Sequence, residues 1–362
     1  MKYKIFGKNI EINVDKRLIK EILKKELMGY KKSDENDSVD VEINFTDNFP
    51  SEKSFLNSPT IHKSFSNGFI AYYGSNRILY QKNKILKIYI SISEKGGFFH
   101  KFLSMGYRLN YENVGQILHE LVLVPISFFD KTSALIHAST MKKKGQNRVV
   151  MFGGTGGVGK TSLEILLCRE LGYSFISDDI AVISNNTKVY PNLSYPKIYA
   201  YNTVCNDSVE KDLFKNRGWV DKFQWFFMKK YKGESKVRRA IAPNDFFYSV
   251  ETMENNASEY YILYKTNTIN SIEIEVVNAK IAARLTLNII KNEYHSVYQH
   301  ILWYENNCQL MKFEPIITMK EIDEKFIKIY QVFFNTVDCY CVKIPIDKSH
   351  DEFLMQMKKK YK

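Results

Sequence analysis

Residues 154–161 read Gly-Thr-Gly-Gly-Val-Gly-Lys-Thr, and farther along two aspartates, Asp178 and Asp179, stand side by side after an apolar run. A glycine loop that ends in Lys-Thr fits the pattern G-x-x-x-x-G-K-[ST]. Its glycines adopt backbone angles that other residues avoid, so successive N–H groups turn inward around phosphate oxygens. The flanks supply what such a loop requires: "RVVMFG" before it reads as a β-branched strand, and "TSLEILLCREL" after it carries apolar residues at helical spacing. Lys160 would then reach the β- and γ-phosphates of ATP, the Thr161 hydroxyl would hold Mg²⁺, and the helix amino terminus would add partial positive charge. The expected nucleotide segment is Gly154, Thr155, Gly156, Gly157, Val158, Gly159, Lys160, Thr161 and Ser162.

The helix is expected from about Lys160 to Leu171, with Gly172 as its stop and "YSFIS" as the next strand. A strand–helix–strand unit crosses over right-handedly, which brings the second strand back parallel to the first. Both strands then end at one sheet edge, and Asp178 and Asp179 arrive beside the glycine loop. Carboxylates there can accept a proton from an attacking hydroxyl and can hold Mg²⁺, directly or through water. Neighbours on a strand point to opposite faces, so one of the two faces the γ-phosphate; the plainer reading is a solvated turn or helix cap. His137 enters by a second route. "TSALIHASTM" and "RVVMFG" flank the turn "KKKGQN", and folding the chain antiparallel about it sets His137 roughly opposite Phe152. A histidine there could orient an aspartate or assist proton transfer, or serve only as a structural residue of an apolar strand.

The order and spacing of "LIHAST", "GGTGGVGKTSL" and "FISDDIAVI" resembles the HPr-kinase/phosphorylase superfamily, in particular its diverged HPr-kinase-related branch. That branch includes kinases associated with lasso-peptide and other peptide-modification clusters, and "VYPNLSYPKIY" looks like a family segment too. The resemblance is specific over the middle third of the chain. It implies a P-loop core that transfers the γ-phosphoryl group of ATP to a hydroxyl, typically serine, of a protein or peptide. It also implies roles: His137 supports the catalytic aspartate, Asp178 accepts the proton, and Asp179 serves the metal with Thr161. The glycine-rich signature segment of authentic HPr kinases, with its metal-binding glutamate, does not follow the aspartate pair. Neither HPr as acceptor nor the reverse phosphorolysis is therefore implied.

Other elements must carry this centre. Residues 1–105 read mainly as short strands ("YKIFGKNIEIN", "SVDVEINFTD", "GFIAYYGSNRILYQ", "ILKIYISIS"), with one helical run, "RLIKEILKKELMGY". "NYENVGQILHELVLVPISFF" reads as a helix leading into the centre, and "IAVIS-NNTK-VYP" as a hairpin beyond it. Farther on, "NAKIAARLTLNIIKN" and "MKEIDEKFIKIYQVFFNT" are amphipathic helices, "CYCVKIPI" is a strand and "MKKKYK" a frayed basic tail. The expected architecture is α/β. An antiparallel α+β amino-terminal unit covers 1–109, an HPr-kinase-like P-loop core 110–300, and a helix and strand extension 301–362.

Composition narrows the alternatives. The 362 residues, 44% hydrophobic with 24 each of Tyr and Phe, suffice for a large core and exclude wholesale disorder. The first residues lack the apolar core of a signal peptide and no window reaches bilayer-spanning length, so the expected location is cytoplasmic. Five scattered cysteines, odd in number, argue against a disulfide framework, and Cys339 and Cys341 read as buried thiols rather than a zinc site. The net charge is +12, densest over "FFMKKYKGESKVRRA" (226–240). That stretch could meet nucleic acid, an anionic membrane surface or an acidic substrate, or be a solvated face. Lys142–Lys144 are likewise solvated loop charges or a rim that attracts an acidic acceptor.

Three functions follow. The first is a kinase for a peptide, protein or small hydroxyl-bearing acceptor, acidic in character, with no membrane partner and with self-association left open. The second is a nucleotide-gated ATPase or regulator without an acceptor. The third is a nucleic-acid-binding protein, for which no zinc finger or RNA-binding signature is found.

Overall fold

Alternation builds the amino-terminal layer: Ile10 and Ile12, then Val41, Ile43 and Phe45, recur at every second position and are buried. The computed structural model describes residues 1–50, 54, 56–93, 112–204 and 207–361; the expected boundary near 109, the helix start at 110 and Cys205 lie outside them. Eight strands form this layer: β1 (Lys2–Ile5), β2 (Lys8–Val14), β3 (Lys31–Lys32), β4 (Val41–Phe45), β5 (His62–Phe65), β6 (Gly68–Tyr73), β7 (Asn76–Lys82) and β8 (Leu86–Ser91). They pair in the order β3-β1-β2-β4-β8-β7-β6-β5. The sheet is mixed rather than antiparallel, because β4 runs parallel to both β2 and β8. Helix α1 (Arg17–Glu26) lies in the connection from β2 to β4, and a crossover of that length returns the chain in its original direction.

The central layer is a six-stranded sheet in the order β12-β10-β11-β18-β20-β19. Along the chain the remaining strands are β9 (Ser133–Ile136), β10 (Ala138–Lys143), β11 (Val149–Gly154), β12 (Tyr173–Ser177), β13 (Ala181–Ser184), β14 (Lys188–Tyr190), β15 (Lys197–Tyr199), β16 (Arg238–Ala240), β17 (Asn255–Asn256), β18 (Glu259–Thr266), β19 (Glu273–Val276) and β20 (Asp338–Pro345). Strands β11, β18 and β20 are parallel neighbours. The crossover from β11 does bring β12 back in the same direction, but β10 lies between them, antiparallel to both. A four-stranded sheet, β17-β14-β13-β9, and the ribbon of β15 with β16 flank it. The expected hairpin is present as β13 with β14, Ile183 opposite Val189.

Helices pack around these sheets: α2 (Glu112–Gln116), running into a π-helical turn at Ile117–Leu123, then α3 (Lys160–Glu170), α4 (Asp207–Leu213), α5 (Trp219–Lys232), α6 (Ala279–Glu293), α7 (His295–Met311), α8 (Met319–Phe334) and α9 (His350–Tyr361). The boundary expected at 300 falls inside α7, and β20 belongs to the central sheet. Helix α7 joins the layers: His62 Nδ1 and His300 Nδ1 lie 3.1 Å apart, and Asn307 Nδ2 donates to Ser64 Oγ at 2.7 Å. One hydrophobic core runs through both. Among the described residues, no helix is long and apolar enough to cross a membrane.

The tail expected to fray, from residue 357 on, continues α9 as far as Tyr361. Phe353, Met357 and Tyr361 recur every fourth residue and are all buried, and Lys358 pairs with Glu170 of α3 at 2.5 Å. This helix backs the glycine loop: a Cβ built on Gly159 would meet the Phe353 ring at 3.2 Å. Phe353→Ala should therefore cost about 3–5 kcal/mol, as ring removal from a packed site does, measured by denaturant unfolding at an unchanged m-value.

Candidate active site

Two strand junctions lie side by side at one end of the central sheet. Strand β9 passes into β10 at His137, and β12 passes into β13 at Asp178–Ile180, each carrying the chain between the four-stranded and six-stranded sheets. On one side of this seam β10 pairs with β12, Thr140 opposite Ser177; on the other β13 pairs with β9, Ala181 opposite Ile136. His137 and the aspartates are thereby forced together. The glycine loop leaves β11 at the same end, since Ala138 stands opposite Gly153. That register sets His137 level with Gly154 rather than Phe152, because the intervening turn closes at Lys143 and Arg148.

The loop follows its sequence closely. Gly154 has φ +138°, and a Cβ there would lie 2.4 Å from the Leu263 carbonyl of neighbouring β18; Gly159 has φ +107°. Lys160 is buried and its ammonium donates to the carbonyls of Gly154 and Thr155 at 3.2 and 2.9 Å. Thr161 Oγ1 donates to Asp178 Oδ1 at 3.3 Å, and Ser162 Oγ accepts from Asn202 Nδ2 at 2.8 Å. Helix α3 ends as expected, with Gly172 at φ +70°.

The two aspartates differ in almost every respect. Asp178 is buried and also accepts from Ser139 Oγ at 3.1 Å. Burial, then the neighbouring charge of Asp179, pushes its pKa up. Glu164, one turn along α3, is fully buried beside it, and burial followed by the Asp178 charge pushes its carboxyl well above the usual range, so it is neutral. Asp179 has left-handed backbone (φ +62°) and keeps 44% of its side chain exposed. Its Oδ1 lies 3.4 Å from His137 Nε2 and its Oδ2 lies 3.6 Å from Lys197 Nζ. Burial opposes its charge, but the His137 hydrogen bond and the Lys197 charge outweigh that and hold Asp179 well below the usual carboxylate range. The other ring nitrogen of His137, Nδ1, lies 3.5 Å from Glu293 Oε2.

The pairing is the reverse of the roles implied by resemblance. His137 contacts Asp179, and Thr161 donates to Asp178. Sequence reasoning also missed Ser139, Glu164, Lys197 and Glu293. Ser139 and Glu164 had a usable signal, two residues along the strand from His137 and one helical turn from Lys160. Glu293 ends a distant helix and had none.

Beside the carboxylates, on the side lined by the π-helical turn, a cavity of about 140 Å³ opens. Its polar wall includes His119, Glu120, Ser194, Lys197 and Ser296, with Lys197 bonded to Glu120. Hard oxygen groups are what Mg²⁺ takes, and the adjacent Thr161 hydroxyl and Asp178 carboxylate fit it. Among the described residues no cluster of three or more His, Cys, Asp or Glu has metal-ligand geometry, and Mg²⁺ held partly by phosphates needs none.

The basic turn is elsewhere. Lys142–Lys144 sit at the far end of β10 from His137, where Lys142 faces Glu251 at 3.5 Å and Lys143 donates to the Leu171 carbonyl. They do not border this cavity, so the part of the expected basic rim assigned to this turn lies elsewhere. Comparison with known proteins finds neither a family model nor a curated protein that matches the chain.

Behind the cavity, Glu26 of α1 lies 3.9 Å from the buried His119 ring. Burial raises the Glu26 carboxyl to about 8 and lowers His119 to about 4, so both are neutral near pH 6. The folded protein keeps the Glu26 proton between its ordinary pKa and about 8, where the unfolded chain has lost it. The stability this contributes is complete in acid and is lost as pH rises through about 8. Glu26→Gln should therefore melt with the parent near pH 4.5 but roughly 5 °C higher at pH 8.5, in thermal scans at the two pH values.

Proposed function

We propose that this chain is an ATP-dependent, HPr-kinase-like phosphotransferase that moves the γ-phosphoryl group to a hydroxyl of a peptide, protein or small acceptor. The observation that carries the reading is convergence: the glycine loop with Lys160 and Thr161, the Asp178–Asp179 pair and His137 all meet at one sheet end beside a polar cavity. In the proposed site the loop N–H groups and Lys160 hold the phosphates. Thr161 and Asp178 would hold Mg²⁺, which would supply charge neutralisation at the phosphates.

Asp179 faces the cavity and takes the acceptor. Its carboxylate orients the hydroxyl and receives the proton as the new O–P bond forms, the bond from the γ-phosphorus to its bridging oxygen breaks, and ADP leaves. So acidic a carboxylate is a weak base, which suits a loose transfer in which positioning and charge stabilisation carry most of the catalysis. His137, steadied by Glu293, fixes the Asp179 carboxylate, and Lys197 fixes its other oxygen. The amino-terminal unit backs the acceptor side: Glu26 lies by His119, and Tyr30 accepts the Leu193 N–H at 2.8 Å. A regulator without an acceptor would need neither the cavity nor an exposed carboxylate facing it.

Labelled ATP with candidate peptides encoded beside the gene tests the reading directly. Lys160→Ala should abolish stabilisation by MgATP while the fold persists. Asp179→Asn should lower transfer about 10²–10⁴-fold while MgATP affinity stays within about threefold. Unchanged ATP affinity in Lys160→Ala, or a larger transfer loss in Asp178→Asn with intact Mg²⁺ dependence, removes the assignment.

A further inference from the structure

Helix α5 presents two dissimilar faces. Asp221, Gln224, Trp225 and Met228, at helical spacing, are buried against the protein. The opposite face carries Trp219, Phe223, Phe226, Phe227 and Tyr231, which remain between 45% and 79% exposed. Lys222 and Lys230 are exposed on the same face. Scattered exposed apolar residues need no explanation, but five aromatics on one helix face form a patch of the kind that marks a contact surface.

The carboxylates around the patch are paired, including Glu234 at the helix end, 3.4 Å from Lys229. Glu210 accepts from Trp225 Nε1 at 3.2 Å, Asp212 pairs with Arg169 at 2.6 Å, and Asp221 pairs with Arg217 and Arg239 at 2.7 and 2.8 Å. These carboxylates are engaged within the protein, so the outward surface is aromatic and cationic. A second copy of the chain is a poor occupant: it would bring Lys222 and Lys230 against their own kind, and lysine is depleted at protein interface cores. A lipid headgroup layer suits every component. Trp and Tyr partition to the bilayer interface, Phe inserts at the acyl boundary, and lysine stems extend along apolar surface while their ammonium groups meet lipid phosphate.

We propose that the outward face of α5 docks the protein, without insertion of a spanning segment, on an anionic lipid surface. This is independent of phosphoryl transfer. It departs from the expectation of no membrane partner, which rested on the lack of spanning segments and did not bear on a surface helix. It selects the membrane option among those the 226–240 stretch left open.

The test is flotation of the full chain with vesicles of phosphatidylcholine alone or with phosphatidylglycerol at about one lipid in three. Binding is expected to be at least about tenfold tighter to the anionic vesicles and to weaken as salt rises. Trp219 emission should shift to the blue on binding, and the shift should vanish in Trp219→Phe. The double variants Phe223→Ser/Phe226→Ser and Lys222→Glu/Lys230→Glu should each weaken binding at least about tenfold with unchanged melting, since all four side chains are exposed. Equal binding by parent and both variants, or no binding to anionic vesicles, overturns the proposal. So does a dimer, seen by light scattering, that the aromatic variant dissolves. Binding to a synthetic acidic amphipathic peptide, with none to either vesicle, overturns it in favour of a protein partner.

Discussion

Two consecutive carboxylates cannot both be charged in a protein interior unless donors and cations are brought to them, and here that demand organises everything within reach. Asp178 sits below the surface with Ser139 and Thr161 as its donors, and Glu164 beside it gives up its charge. Asp179 keeps its charge because His137 and Lys197 flank it from different elements. Its left-handed backbone is an uncommon state for a residue with a side chain, although aspartate tolerates it better than most. The twist gives two adjacent side chains different surroundings, one buried and one exposed. Without it the pair would alternate like ordinary strand neighbours.

The seam between the sheets is what makes this possible. Both junctions change sheet at the same level, so the backbone opens a gap there that regular pairing would have closed. The walls of that gap come from the π-helical turn with His119 and Glu120, the segment from Asn192 to Lys197, and Glu293 and Ser296 where α6 gives way to α7. Asn192 ties the second wall to the junction between β12 and β13 by donating to the Ile180 carbonyl at 2.9 Å. Widened helical turns recur at functional sites because they displace side chains from regular spacing.

How much of this the sequence revealed depended on range. The strand, glycine loop and helix are contiguous, and their order and limits from Val149 to Gly172 follow from local residue types, the buried Glu164 being the exception. The meeting of His137 with the aspartates was legible because a short turn and a crossover each constrain direction. The choice of partner was not, because it depends on a single backbone reversal at Asp179 that no neighbouring residue announces. Insertion of β10 between β11 and β12 is a matter of long-range pairing and left no local trace. The basic turn is a different case: Lys142 lies on β10 and His137 just ahead of that strand, five residues or roughly 16 Å apart, so the distance was readable from the start. Helix α9 was overlooked because lysines dominate its last turn, while the apolar stripe of Phe353, Met357 and Tyr361 is sparse.

The placement of α9 and β20 reaches beyond packing, into the order in which the molecule can come into being. Strand β20 lies between β18 and β19, and Phe353 props the turn at Gly159. During synthesis, residues 154–161 leave the ribosome long before the residues that steady them. The loop must wait, unbraced, until residues 338–361 emerge. A nascent chain therefore carries the glycine loop without its prop, and a product cut short before β20 leaves the edge of β18 open to strangers. Completeness is checked by the architecture itself.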